Sequence, residues 1–360
     1  MIELELFDRA RVALRHCAQM VSGDQVLLVS DGTLSPRILT AFATAAHADG
    51  ARVAQITYHP NLYIPMKKFS IFAGMSLNPA PAEPPAPVEG ALREADVIVL
   101  LSSDLTAYFS QALKKALAMG KRMISSVYIT EENLLFLFPE SEQEVIDLDR
   151  FTQAVGKLFE PGGKVRFTSD AGTDFECALG QYGLKCSGGR IPKTSSGVGK
   201  RFLAEFIPGG QISRVPDDGT ATGRIVLNRS IAAPEYRELI EPMTLDIEKG
   251  SVREISGGRE ARDLKNFLKQ LGGSEMYHIT EIGLGTNSRC IRCGVAAPAE
   301  DTHAAGSVTF ALGCDVHIGG STRAPAHIDC TTAGGNLEVG GVEVVKEGEI
   351  LVDAPSLTNS

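Results

Sequence analysis

The chain has 360 residues, 43% of them apolar and 22% charged, with a formal net charge of −9. That length allows one large domain or two medium ones around a genuine hydrophobic core. The acidic balance excludes nucleic acid as the main partner, because phosphate binding needs a basic surface, and a chain without Trp offers bases little to stack on.

The N-terminus, Met1-Ile2-Glu3-Leu4-Glu5, carries acids where a secretion signal carries Lys or Arg. No apolar run reaches the length of a membrane span, so a cytoplasmic protein without a membrane partner is expected. Leu6–Met20 reads as an amphipathic helix, Gln25–Ser30 as a buried strand, Ser35–Asp49 as a helix stopped by Gly50, and Arg52–Thr57 as a strand. The proline-rich stretch Asn78–Pro87 reads as a surface loop. Asp96–Leu101 is the clearest strand, followed by a helix over Thr106–Met119, a strand over Met123–Val127 and a long helix over Ser141–Phe159. Continuous apolar strands alternating with helices predict a doubly wound α/β domain built on a parallel sheet.

Pro161-Gly162-Gly163 breaks the pattern, and a domain boundary is expected there, dividing the chain into residues 1–160 and 161–360. Beyond it the segments are short, Gly-rich and β-like: Lys164–Thr168, Arg224–Leu227, Met243–Ile247, Ser251–Ser256 and several past Ile282. One helix, Arg259–Leu271, interrupts them. This half reads as a β-rich α+β domain.

Candidate chemistry concentrates in that second half. Ser30-Asp31-Gly32-Thr33 follows a strand as phosphate loops do, but it lacks the glycine spacing that brings backbone N–H groups onto phosphate, so it reads as a plain βα turn. Four of the seven histidines, His278, His303, His317 and His327, fall in one stretch with Glu281, Glu300, Asp301, Asp315 and Asp329. Imidazole and carboxylate together suit a divalent metal. In His327-Ile328-Asp329 the two polar side chains sit two apart, which on a strand puts them on one face. A lone pair of this kind is often only a polar surface; the clustering upstream favours metal binding. Cys290-Ile291-Arg292-Cys293 has chelating spacing but no second pair, so buried or free thiols are expected. The turn Ser169–Glu176, with Asp174, reads either as a capped turn or as a substrate-facing loop.

Four segments together carry a family likeness: Ser169–Tyr182, the turn Glu248-Lys249-Gly250, Glu281-Ile282-Gly283-Leu284-Gly285-Thr286-Asn287, and His327-Ile328-Asp329. They resemble the aminopeptidase T superfamily. One branch of it holds binuclear metalloaminopeptidases, and the other holds 2,5-dihydroxypyridine dioxygenases with a single Fe(II) in a two-His, one-carboxylate triad. Compared with the peptidases, two ligand positions fall on Gln211 and Thr309, which implies one metal rather than two. Compared with the dioxygenases, Glu281 stands where their upstream His would be, and Glu176 and Phe206 stand at two further His positions.

The resemblance implies a mononuclear, metal-dependent, ring-opening dioxygenase of aromatic catabolism. Its substrate would be a small hydroxylated or nitrogen-containing aromatic such as a dihydroxypyridine, with O₂ as co-substrate. The alternative is an aminopeptidase or amide hydrolase. One divalent ion per chain is expected, Fe(II) ahead of Zn, Mn or Co. Glu281, His327 and Asp329 would hold it, with His278 as a substitute upstream ligand if the backbone bends there. His303, Glu205 and Glu176 would act as acid or base, and Asp174, Tyr182, Thr286 and Asn287 would bind substrate. The resemblance also implies a homo-oligomer.

Overall fold

The computed structural model describes residues 2–32, 34–58, 83–101, 110–126, 129–160, 162–192, 203–233, 236–290 and 301–352. Contacts divide them into two units. The first takes the chain up to Tyr58, from Glu83 to Asp149 and from Ser187 to Gly209; the second takes Arg150–Cys186 and everything from Gly210.

The first unit is a five-stranded parallel sheet in the order Arg52–Thr57, Gln25–Ser30, Val97–Leu101, Arg122–Ser126, Ala204–Phe206. Its central strands are apolar on both faces, and alternation sorts them into two cores. Val26, Leu28, Val97, Val99 and Leu101 join one with Leu6, Leu14 and Phe42. Leu27, Val29, Ile98 and Leu100 join the other with Val88, Leu92 and Leu113. This is the doubly wound arrangement that the strand pattern predicts. The helix Pro36–Ala48 starts where Ser35 accepts from the backbone N–H of Arg37, and Gln111–Ala118 starts where Ser110 accepts from Leu113. Glu131–Leu137, absent from the sequence reading, is held by a capping box between Thr130 and Asn133.

Three expectations change. The N-terminal helix is α-helical over Ile2–Val12 and continues as a π-helical turn, Ala13–Cys17. The proline loop ends early: from Ala86 the chain is already helical, and Pro87 sits in the first turn, where its missing N–H costs nothing. The division expected at residue 160 places Ala204–Phe206 with the second half. In the structure the chain returns to the first unit between Ser187 and Gly209, and this strand closes the parallel sheet beside Arg122–Ser126. Main-chain pairing with a distant strand draws it there, and three residues are too few to show a period.

The second unit packs an eight-stranded and a seven-stranded sheet around one core. Val165, Phe167, Phe175 and Leu245 come from the first of these sheets; Ile212, Ile282, Phe310 and Ile328 come from the second. Phe310 anchors the interface, with its ring 5.0 Å from Phe175 in edge contact and 5.8 Å from Phe167. The helix Arg259–Leu271 adds Leu264, Phe267 and Leu268. At Lys249-Gly250 both residues have positive φ, 51° and 79°, as a two-residue hairpin turn requires. The Ser169–Thr173 segment is likewise a hairpin turn, closed by Ser169 N–H donating to Thr173.

Candidate metal centre

The centre grows from three neighbouring strands of the seven-stranded sheet: Ile279–Gly285, Val308–Gly313 and His327–Thr332. Glu281 is opposite Ala311, and Ala311 is opposite Asp329. One cross-strand row therefore carries two carboxylates with only a methyl group between them. His327 lies one step along the same face, opposite Gly313. The intervening residues on this face, Gly283, Thr309, Thr331 and Ser213, are small, while Ile282, Phe310, Leu312 and Ile328 fill the opposite face. A bulge at Thr280 interrupts the register just before Glu281, since Ile279 pairs with Leu312 and Glu281 with Ala311.

His327 is the hub. Its Nδ1 lies 2.6 Å from the carbonyl oxygen of Cys314 and donates to it. Its Nε2 then faces Glu281 Oε2 at 3.3 Å and Asp329 Oδ1 at 3.2 Å. A neutral ring held this way would aim a lone pair at two anionic oxygens. Only a cation at Nε2, a proton or a metal, reconciles the three groups. With a proton there, burial works against the charge, but the hydrogen bonds and charges of Asp329 and Glu281 outweigh it and push His327 up to about 10. Burial likewise opposes the charge on Glu281, yet His327 and the Ser213 hydroxyl, 2.6 Å from its Oε1, hold its carboxyl below the usual range.

A second imidazole completes the group. The ligand atoms of Glu281, His317 and His327 all lie within 4.8 Å of one another. The His317 ring meets the His327 ring edge-on, with centroids 4.5 Å apart. His317 sits on the single turn Val316–Ile318. The loop carrying it is pinned at both ends: Asp315 N–H donates to Thr322 O, and Thr322 N–H donates to the Asp315 carboxylate at 2.7 Å. Gly320 closes against that carboxylate so tightly that a Cβ would stand 2.2 Å from its carbon. Burial first, then the His327 charge, keeps His317 well below the ordinary histidine value, so it presents a neutral ring.

This donor set fits one divalent ion. Ligand atoms about 2.1 Å from a metal and at right angles to each other stand about 3 Å apart, close to the separations around His327. Mixed imidazole and carboxylate donors suit iron, zinc or manganese.

The structure brings Glu281, His327 and Asp329 together, adds His317, and leaves the remaining candidates elsewhere. The backbone does bend before Glu281, but His278 stays outside the group. It lines a separate cavity of about 510 Å³ with Asp217, Lys249, Glu275 and Arg323. His303, Thr286 and Asn287 gather at the far end of the Ile279–Gly285 strand. Asn287 N–H donates to His303 O, and Thr286 shares a hydrogen bond with Thr152. Nearby, Asp301 is held by Arg229 and Tyr236. Asp174 and Glu176 lie on the eight-stranded sheet with solvent-exposed partners, Arg166 and Lys164. Tyr182 is engaged by Asp218 and Ser321. Glu205 belongs to the first unit, buried, with Ser187 donating to it. Gln211 and Thr309 flank the centre without joining its ligand group. The six described cysteines are buried; Cys293 and Glu300 lie outside the described residues.

Two residues of the centre carry no strong mark in the sequence. Ser213 has none at all. The histidine clustering includes His317, but a three-residue turn gives it no strand motif.

A family model for 2,5-dihydroxypyridine 5,6-dioxygenase matches residues 5–352. The chain belongs to that family. It is therefore an enzyme, an oxidoreductase of the dioxygenase type. A 2,5-dihydroxypyridine 5,6-dioxygenase of Pseudomonas putida KT2440 is 26% identical over 289 residues, covering 71% of this chain and 80% of that one. Among solved structures, 2,5-dihydroxypyridine dioxygenase from Pseudomonas putida KT2440 superposes with a TM-score of 0.75 at 22% identity over 98% of both chains. AmpT from Thermus thermophilus superposes with a TM-score of 0.67 at 14% identity, over 98% of this chain and 100% of that one. These two likenesses establish the shared two-part α/β and β-rich fold, and the superfamily resemblance read from the sequence holds. No described helix is long and apolar enough to cross a membrane.

Proposed function

We propose that this enzyme opens the ring of a small hydroxylated N-heteroaromatic, of the dihydroxypyridine kind, using O₂ and one divalent metal ion, iron(II). The observation that carries the metal is the His327 ring, fixed through Nδ1 and facing two carboxylates through Nε2. The family match supports the dioxygenase chemistry.

His327, His317, Glu281 and Asp329 would hold the ion, Glu281 and His327 buried, His317 half-buried beside them, and Asp329 from the same cross-strand row as Glu281. Bound iron(II) would supply open positions at which the substrate oxygens and O₂ meet. The protein's own part is positional. Cys314 O fixes the His327 tautomer, and Ser213 ties one Glu281 oxygen so that the other turns toward His327. Burial of Glu281 and His327 keeps bulk water from the reacting ring. Gly283, Ala311 and Thr309 keep bulky side chains off this face between the ligands. His303, Thr286 and Asn287, gathered at the far end of the Ile279–Gly285 strand, would be the groups to meet a substrate that extends along it, His303 exchanging a proton with its hydroxyl.

A hydrolase is the second reading, favoured by the second carboxylate at Glu281 and by the AmpT-like fold. Metal analysis of anaerobically purified protein, with an oxygen electrode, separates the two. One iron per chain with O₂ uptake on 2,5-dihydroxypyridine supports the oxygenase. Two zinc or cobalt ions with peptide turnover and no O₂ uptake would sink it.

A further inference from the structure

The face that carries the centre continues past Glu281 to the edge strand Leu184–Ser187. The strand order there is Ile279–Gly285, Gln211–Arg214, Leu184–Ser187. Cys186 is buried in the core with Ile212, Ile282 and Phe310. Strand alternation therefore sends its neighbour Lys185 to the opposite face, the one that bears Ser213 and Glu281. The strand order sets Leu184–Ser187 two strand spacings, about 9.6 Å sideways, from Ile279–Gly285. On the strand between them this face carries Gln211 and Ser213, the latter opposite Gly283. A lysine stem and a glutamate side chain reach toward each other across such a gap.

We propose that Lys185 binds an anionic oxygen of the ring substrate beside the metal ligands, so that the substrate is taken up with one hydroxyl ionised and its proton released to bulk water. This rests on the functional reading above. The electrostatics agree with the placement. After burial and the mutual effect of the histidines, Lys185 is the remaining cation acting on both Glu281 and His317. An ammonium beside four metal ligands weakens the pull on a cation, so it has no use in holding the metal. A hydroxypyridinolate oxygen, by contrast, gains a charge-assisted hydrogen bond from it. The polar face then has a cation at one end and paired carboxylates further along, which fits a ring whose ionised oxygen and metal-facing oxygen point in different directions.

The test is anaerobic titration of iron-loaded protein with 2,5-dihydroxypyridine between pH 6 and 9, following the ring absorbance in wild type, Lys185→Met and Lys185→Arg. Loss of one charged hydrogen bond predicts about 10- to 100-fold weaker binding for Lys185→Met. The ionised-ring spectrum should then appear only at higher pH, Lys185→Arg should retain most of the affinity, and iron should stay at one per chain in all three. Unchanged affinity and unchanged ionisation pH in Lys185→Met overturn the inference, as does loss of iron from that variant. Wild-type protein that loads iron but binds no dihydroxypyridine overturns the functional reading and this inference with it. Wild type that binds while Lys185→Met binds equally well overturns the inference alone.

Discussion

The two faces of the seven-stranded sheet use the same strands for opposite purposes. On one, Ile212, Ile282, Phe310, Leu312 and Ile328 lock into a core with no polar group to satisfy. On the other, Ser213, Glu281, Ala311, His327 and Asp329 bring like charges and a lone pair together, at a cost that a bound cation offsets. Successive residues therefore belong to different economies: Ile328 serves stability, and the residues on either side of it serve chemistry. A strand delivers this separation because its side-chain period is two.

The comparison can be broken most forcefully at Asp329. Asp329→Asn keeps the volume and removes a negative donor, so activity should fall about a thousandfold or more. Unfolding of the metal-free protein at neutral pH should move by no more than about 2 kcal/mol, the share of the His327 proton that Asp329 holds, short of the cost of emptying a core aromatic site. A large loss of stability in that variant would mean that the faces are not separable. Phe310→Ala is the mirror experiment. Emptying a buried aromatic site should cost about 3–5 kcal/mol in urea unfolding, while the metal bound per folded chain stays unchanged. Ser213→Ala should weaken metal binding about 10- to 100-fold by freeing the Glu281 carboxylate, with little effect on the unfolding midpoint. A further effect is one of pH. His327 is raised from 6.5 to about 10 in the metal-free fold, so its stabilising contribution is complete below pH 6.5 and is lost as pH rises through about 10. Metal-free protein should therefore be less stable at pH 10 than at pH 6.5, and the difference should shrink in His327→Gln. It should shrink also in the metal-loaded protein, where the ion in place of the proton occupies Nε2.

Much of this architecture could be read in advance, and the reasons are local. The helix Arg259–Leu271 has the sequence bounds, because Gly258 and Gly272 flank a clear 3.6-residue period. The parallel strands stand out because both of their faces are buried, so Val97–Leu101 is apolar throughout. His327 and Asp329 declare themselves through their two-residue spacing. What the chain does not advertise depends on distant pairing. Ala204–Phe206 finds its place only through hydrogen bonds to Arg122–Ser126. His317 reaches the centre because Asp315 pins its loop to Thr322 and Gly320 leaves room for the Asp315 carboxylate. Lys185 reads as an ordinary edge-strand lysine until the strand order puts Glu281 two strands away.

The bulge at Thr280 has a consequence for how this stretch tolerates change. Ile279 and Ile282 both face the core, although three residues apart, and Glu281 faces away from it. An unbroken strand would put Ile279 on the side of Glu281. The extra residue thus resets the reading frame of inside and outside. Deleting Thr280 should therefore leave a regular ladder, with Ile279 still opposite Leu312 in the core and Glu281 still opposite Ala311. A single deletion within Ile282–Gly285 has no such slack and should turn the residues beyond it to the wrong face. Loss of one residue is expected to be tolerated at the bulge and not further along the strand.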